Sequence, residues 1–200
     1  MRKWVLLIIA ALTLSACAGQ KVWAPDEAVA KAAYHHNGPP RLTLFTMINN
    51  KSGAGAHTSL MISGSQRVIF DPAGSFRHKS IPERNDVLFG ITPNVADVYT
   101  RYHARQTYRV QVQQIDVSPE VAEMAMRAVM AYGAVGAARC SNSTSQIIAG
   151  LPGFESIKQT WYPRKLASEF GEIPGVTSQE LYEYDSDDNS KLLAAWNPDG

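Results

Sequence analysis

The stretch that most limits the possible folds is a hairpin. His57 to Ile62 (HTSLMI) reads as a strand, Ser63-Gly64-Ser65 as a tight turn, and Gln66 to Asp71 (QRVIFD) as the antiparallel return. Pro72-Ala73-Gly74 ends it. Before it, Arg41 to Ile48 (RLTLFTMI) is apolar and strand-prone. The intervening Asn49 to Gly55 is a glycine-rich loop without the Lys-Ser/Thr ending of a phosphate loop. Downstream, Tyr108, Val110 and Val112 alternate with Arg109, Gln111 and Gln113, the pattern of a strand with one buried face.

Helices are interleaved with these strands. Thr92-Pro93 caps one that runs to about Arg105, because proline suits the first helical position. Ser118-Pro119-Glu120 starts another through about Ala134, with an acidic side chain near the positive end of the dipole. Gly133 to Ala138 is a small-residue connection. Cys140 to Ala149 is a helix stopped by Gly150 and Pro152, and a last helix lies within Pro163 to Phe170. Phe76 to Asp86 is a polar loop, Asp86 to Ile91 a short strand and Glu180 to Tyr184 an edge strand. Met124, Met126 and Met130 read as core filling, Asp185 to Asn189 as a solvated turn, and the C-terminus as a loosely held tail.

At 200 residues, 45% hydrophobic and 18% charged, the chain can bury one compact core with short appendages. Its net charge of +1, without a basic tract, argues against a nucleic-acid partner. Only two cysteines are present, Cys17 and Cys140, too few for a disulfide scaffold.

Cys17 has a targeting context. Arg2 and Lys3 precede an apolar run, Trp4 to Leu12, that is too short to span a bilayer and has the layout of a signal peptide. Leu14-Ser15-Ala16-Cys17 resembles a bacterial lipobox. That resemblance implies a signal peptide at 1–16, cleavage before Cys17, and acylation of its thiol and new amino group. Buried acyl chains then hold the protein to a membrane. With Ala18 after the cysteine, the resemblance implies the outer membrane of a bacterial envelope, facing the periplasm. Residues 17–40 form the tether. Asp26 to Tyr34 within it is a short helix capped by Asp26, and the His35-His36 pair belongs to a solvated linker rather than a metal site.

Cys140 follows a glycine- and alanine-rich turn and begins a helix, where the dipole favours thiolate. His57 can serve as its base. A three-residue loop at Ser63–Ser65 sets His57 directly opposite Asp71, which then orients the imidazole; a two-residue loop would turn Asp71 to the other face. His78 and His103 begin no clear strand and rank below His57 as the base. The hydroxyls of Ser141, Ser143, Thr144 and Ser145 suggest a site-facing end of the helix. Arg139 either favours the thiolate or faces solvent.

Three stretches, Ala56 to Ile62, Val68 to Pro72 and Cys140 to Thr144, resemble papain-like enzymes of the NlpC superfamily. His57 precedes Cys140, as in the circularly permuted branch that includes lecithin retinol acyltransferase-like proteins and bacterial amidase or peptidase relatives. The resemblance spans about 41–175 and leaves 176–200 as a C-terminal extension. It implies an α+β fold with a small antiparallel sheet and the cysteine helix packed against it. It also implies a thiol nucleophile attacking an amide or ester through an acyl-enzyme, with no cofactor. Arg139 stands where the family often has Asp or Asn, and Asp71 where it often has His. The expected function is a lipid-anchored cysteine peptidase or amidase acting on cell-wall peptide. The alternatives are a non-catalytic binding or structural lipoprotein of the same fold, and a lipid-directed acyl hydrolase or acyltransferase.

Overall fold

The computed structural model describes Gly19 and residues 21–197; the expected signal peptide and the lipidated Cys17 lie outside the described residues. The fold is α+β, built on a seven-stranded antiparallel sheet. Its strands are β1 (Arg41–Asn49), β2 (Gly55–Ser63), β3 (Arg67–Phe70), β4 (Glu83–Arg84), β5 (Val87–Phe89), β6 (Tyr108–Asp116) and β7 (Thr177–Leu181). They lie side by side in the order β4-β5-β3-β2-β1-β6-β7. Six helices occur among the described residues: α1 (Asp26–Ala32), α2 (Pro93–His103), α3 (Pro119–Tyr132), α4 (Cys140–Ala149), α5 (Pro163–Gly171) and α6 (Ser190–Ala195).

Strand alternation divides the interior into two cores. Leu42, Leu44, Leu60, Ile62, Val68 and Phe70 face a first core shared with α3, α4 and α5, through Val129, Ile147, Ile148 and Phe170. Phe45, Met47, Met61 and Ile69 face a second core, closed by Val95, Val98 and Tyr99 of α2 and by Phe76. Both layers bury apolar side chains, so the central strands are apolar on both faces. The helix starts follow their caps. Thr92 accepts the Val95 N–H and Ser118 accepts the Val121 N–H, each ahead of a proline at the first turn.

Several expectations need correction. The polar loop at 76–86 contains β4, which pairs with β5 through the two-residue loop Asn85-Asp86. Both loop residues have positive φ, 45° and 67°, as in a type I′ turn. Helix α1 is capped by Pro25 rather than Asp26. The 21–40 segment lies on the sheet edge rather than free in solvent. The Ala24 N–H donates to Glu83 C=O, and Tyr34 C=O accepts from the Arg67 N–H. His35 bonds the Ser65 carbonyl and His36 bonds Arg67.

The C-terminal extension contributes β7 to the sheet. The tail is not loose either, since Leu192, Leu193 and Trp196 pack on the second core. Residues 185–189 form a clasp: Asp185 and Asn189 bond Arg105, and Asp187 accepts both the N–H and the hydroxyl of Thr107. Of the three methionines, Met126 is buried, whereas Met124 and Met130 are exposed.

Candidate active site

The hairpin turns on three residues, but they are Gly64 to Gln66, closed by the Gly64 N–H on Gln66 C=O. Ser63 therefore pairs with Arg67 and Leu60 with Phe70. This register continues Asp71 towards Ser59, so His57 and Asp71 are not directly opposite. The slip is one residue on each strand, which preserves parity. His57 and Asp71 still share the second-core face as a diagonal pair, and His57 Nε2 lies 2.7 Å from Asp71 Oδ1.

Asp71 is 3% exposed and is held from several sides. The Tyr99 hydroxyl donates to Asp71 Oδ1 at 2.9 Å and lies 2.7 Å from Ser59 Oγ. Its own N–H donates to Asp86 C=O at 2.8 Å, and its C=O accepts from the Gly74 N–H at 2.9 Å. The chain then wraps back over the carboxylate through Ala73, whose φ is 56°. Burial opposes the charge on Asp71, but the hydrogen bond and charge of His57 outweigh it and hold the carboxyl below its ordinary range.

Helix α4 begins at Cys140, as expected. Strand β3 stops at Phe70, so β2 loses its neighbour beyond Leu60. The start of α4 fills that place. The sulfur lies within reach of the His57 ring and of the Thr58 and Ser141 N–H groups, each of which acts to lower its pKa. Because His57 Nε2 faces Asp71, Nδ1 is the nitrogen left for the sulfur. Burial raises a thiol pKa, yet the bond and charge of His57, followed by the two N–H groups, bring Cys140 below its ordinary value. Burial likewise lowers a histidine pKa. Here the bonds to Asp71 and Cys140 prevail, and His57 is raised to about 10. Both shifts run in the direction of a thiolate–imidazolium pair, the reactive form of a thiol nucleophile.

The backbone at this point is set up for a developing oxyanion. The first intrahelical bond of α4 runs from the Ser143 N–H to Arg139 C=O. The N–H groups of residues 140–142 precede it; that of Ser141 is directed at the sulfur, and those of Cys140 and Asn142 have no partner within the helix. Two of the α4 hydroxyls have another role than the one expected. Ser143 Oγ donates to carbonyls of its own helix, and Ser145 Oγ accepts the Thr160 N–H, which ties α4 to the segment before α5. Ser141 and Thr144 hydroxyls are buried without a hydrogen-bond partner. Arg139 is exposed and lies over the Trp161 ring, 5.9 Å from its centroid.

His103 enters the site from α2. Its ring stacks 6.0 Å from that of His57, and its Nδ1–H donates to Tyr99 C=O at 2.9 Å. Burial, with the His57 charge adding to it, lowers its pKa to about 4. His103 is thus a neutral imidazole with its lone pair on Nε2. It lines a cavity of about 600 Å³ together with His57, Tyr102, Arg105 and Gly74. This cavity opens on the imidazole side of the pair; Cys140 is not among its walls. His78 lies elsewhere, against Trp196.

The structure thus brings Cys140, His57 and Asp71 together, while Cys17 lies outside the described residues. Sequence reasoning missed Tyr99 and the contribution of His103. Both sit on one face of α2, four residues apart, a spacing that signals a shared helical face but not what it faces. Among the described residues no group of three or more His, Cys, Asp or Glu side chains is arranged to hold a metal ion. No described helix is long and apolar enough to cross a membrane. Comparison with protein-family models, with curated proteins and with solved structures finds no match to this chain.

Proposed function

We propose that the protein is a thiol hydrolase that cleaves an amide through an acyl-enzyme on Cys140. The observation that carries this reading is the arrangement of a depressed-pKa thiol, a raised-pKa imidazole and a buried carboxylate in sequence, Cys140–His57–Asp71. Cys140 is the nucleophile. His57 holds the thiolate as an imidazolium and passes its proton to the leaving nitrogen. Asp71 orients the ring and supports its charge. The first-turn N–H groups of α4 receive the tetrahedral oxygen.

The order of the residues in the chain and the antiparallel sheet support a permuted papain-like fold of the NlpC type as the framework for this chemistry. The lipobox-like Cys17 supports a lipid anchor at the bacterial outer membrane, facing the periplasm, with cell-wall peptide as the amide substrate.

Two measurements test the reading. The first is the pH dependence of Cys140 alkylation in the wild type and in His57→Ala. A thiol that reacts as slowly as a free cysteine, with a profile unmoved by the substitution, refutes the catalytic assignment. The second is incubation with peptidoglycan fragments and with phospholipids, with products read by mass spectrometry. Cleaved peptide supports an amidase, released fatty acid supports the acyl-hydrolase alternative, and two unchanged substrates support a binding protein. Incorporation of labelled fatty acid, lost in Cys17→Ala, tests the anchor.

A further inference from the structure

The Asn85-Asp86 turn between β4 and β5 lies outside the Cys140–His57–Asp71 group, yet it touches both loops that carry that group. Asp86 is 4% exposed and sits at a turn with φ of 67°. Its carbonyl accepts the Asp71 N–H at 2.8 Å. Its Oδ2 accepts the Val135 N–H at 2.7 Å. The Ala73 backbone acts on the same carboxyl, lowering its pKa against the rise that burial causes. Asp71 and Ala73 belong to the turn that presents the carboxylate to His57. Val135 belongs to the small-residue loop 133–138 that leads into Cys140.

That second loop is short of side chains that could fix it, although the Gly19 backbone packs against Ala134 and Val135. It contains Gly133, with φ of 86°, and Ala138, with φ of 61°. Its residues are small, so side-chain packing pins it only at Val135, which is 6% exposed. Asp86 therefore accepts from both loops, from the Asp71 N–H through its carbonyl and from the Val135 N–H through its carboxyl.

We propose that Asp86 is a positioning residue, which holds the Cys140 loop against the Asp71 turn and thereby sets the approach of the thiol to His57. The proposal rests on the thiol-hydrolase reading, because it concerns the geometry of that pair. Asp86 itself touches neither sulfur nor imidazole. It acts through the backbone on each side.

The test uses the full chain. Thiolate formation is followed by ultraviolet absorbance and by iodoacetamide alkylation across a pH series, in wild type, Asp86→Asn and Asp86→Ala. Leu166→Ala serves as a control that loses first-core packing without touching the Asp86 bonds. Asp86→Ala is expected to raise the Cys140 pKa by about one unit, a roughly tenfold loss of alkylation rate on the acid side. Asp86→Asn, which keeps one acceptor oxygen, should fall between it and the wild type. Leu166→Ala should lower the melting temperature with an unchanged pH profile.

If Asp86→Ala also lowers stability alone and titrates like the wild type, the positioning role is overturned. An ordinary thiol pKa in the wild type overturns instead the hydrolase reading beneath it. Hydrogen exchange of the unsubstituted protein reports the same bond without any variant. The Val135 amide should exchange slowly, together with the amide of Asp71, and rapid exchange at Val135 alone overturns the proposal.

Discussion

Gly74→Ala should disable the site through a single methyl group. A Cβ built on Gly74 lies 1.9 Å from Asp71 Oδ2, 2.1 Å from its Cγ and 2.4 Å from Oδ1. Backbone freedom is not the reason for glycine here, since its φ is outside the left-handed range. The requirement is space. Carbon and oxygen settle at roughly 3.5 Å or a little beyond, so the carboxylate or the loop must move by well over an ångström. A His57–Asp71 bond that starts at 2.7 Å does not survive such a shift. Loss of a charge-assisted bond costs about 1.5–3 kcal/mol, which is one to two pKa units on His57.

The assay is the pH profile of Cys140 alkylation, beside chemical denaturation of the same variant. The His57 pKa should fall by about one to two units and the Cys140 pKa should rise, because the imidazolium that stabilises the thiolate is weakened. Overpacking should also cost about 1–3 kcal/mol of stability. A folded Gly74→Ala protein with a wild-type alkylation profile would refute the reasoning, since the carboxylate would then have moved without consequence for the pair.

Three further outcomes are expected. His57 binds a proton in the folded state up to about pH 10, whereas the unfolded chain releases it near 6.5. Its contribution to stability is therefore full below 6.5 and declines as pH rises through that window, a slope that urea titrations should detect and that His57→Gln should flatten. Tyr99→Phe removes the hydroxyl that serves both Ser59 and Asp71. It should cost about 1–3 kcal/mol, read by denaturation, and should raise the Asp71 pKa, read by carboxyl NMR. Asn189→Ala takes the acceptor from Nε of the buried Arg105. It should destabilise the C-terminal clasp by about 1–3 kcal/mol and expose α6 to proteolysis.

The hairpin shows both the reach and the limit of reading the sequence. Apolar patterning identified both strands, and a three-residue loop was enough to put His57 and Asp71 on one face. The identity of the three loop residues was not legible, because Ser63, Gly64, Ser65 and Gln66 offer two neighbouring turns of equal length. Parity survived the difference, whereas direct opposition did not. Cys140 was legible because the turn before it and the helix after it are local signals. Asp86 was not, since its partners Asp71 and Val135 lie 15 and 49 residues away and only the assembled sheet joins them. The 21–40 segment looked like a solvated linker because its composition is irregular. Its attachment is made by backbone groups such as the Ala24 N–H, which leave no mark in residue type.

The two-core architecture has a consequence for the thiol. Cys140 is delivered by a helix rooted in the first core, whereas His57, Asp71 and Tyr99 gather on the face of the second. Neither half can build the ion pair alone. The fold thus ties the chemistry proposed for Cys140 to packing on both faces of one sheet.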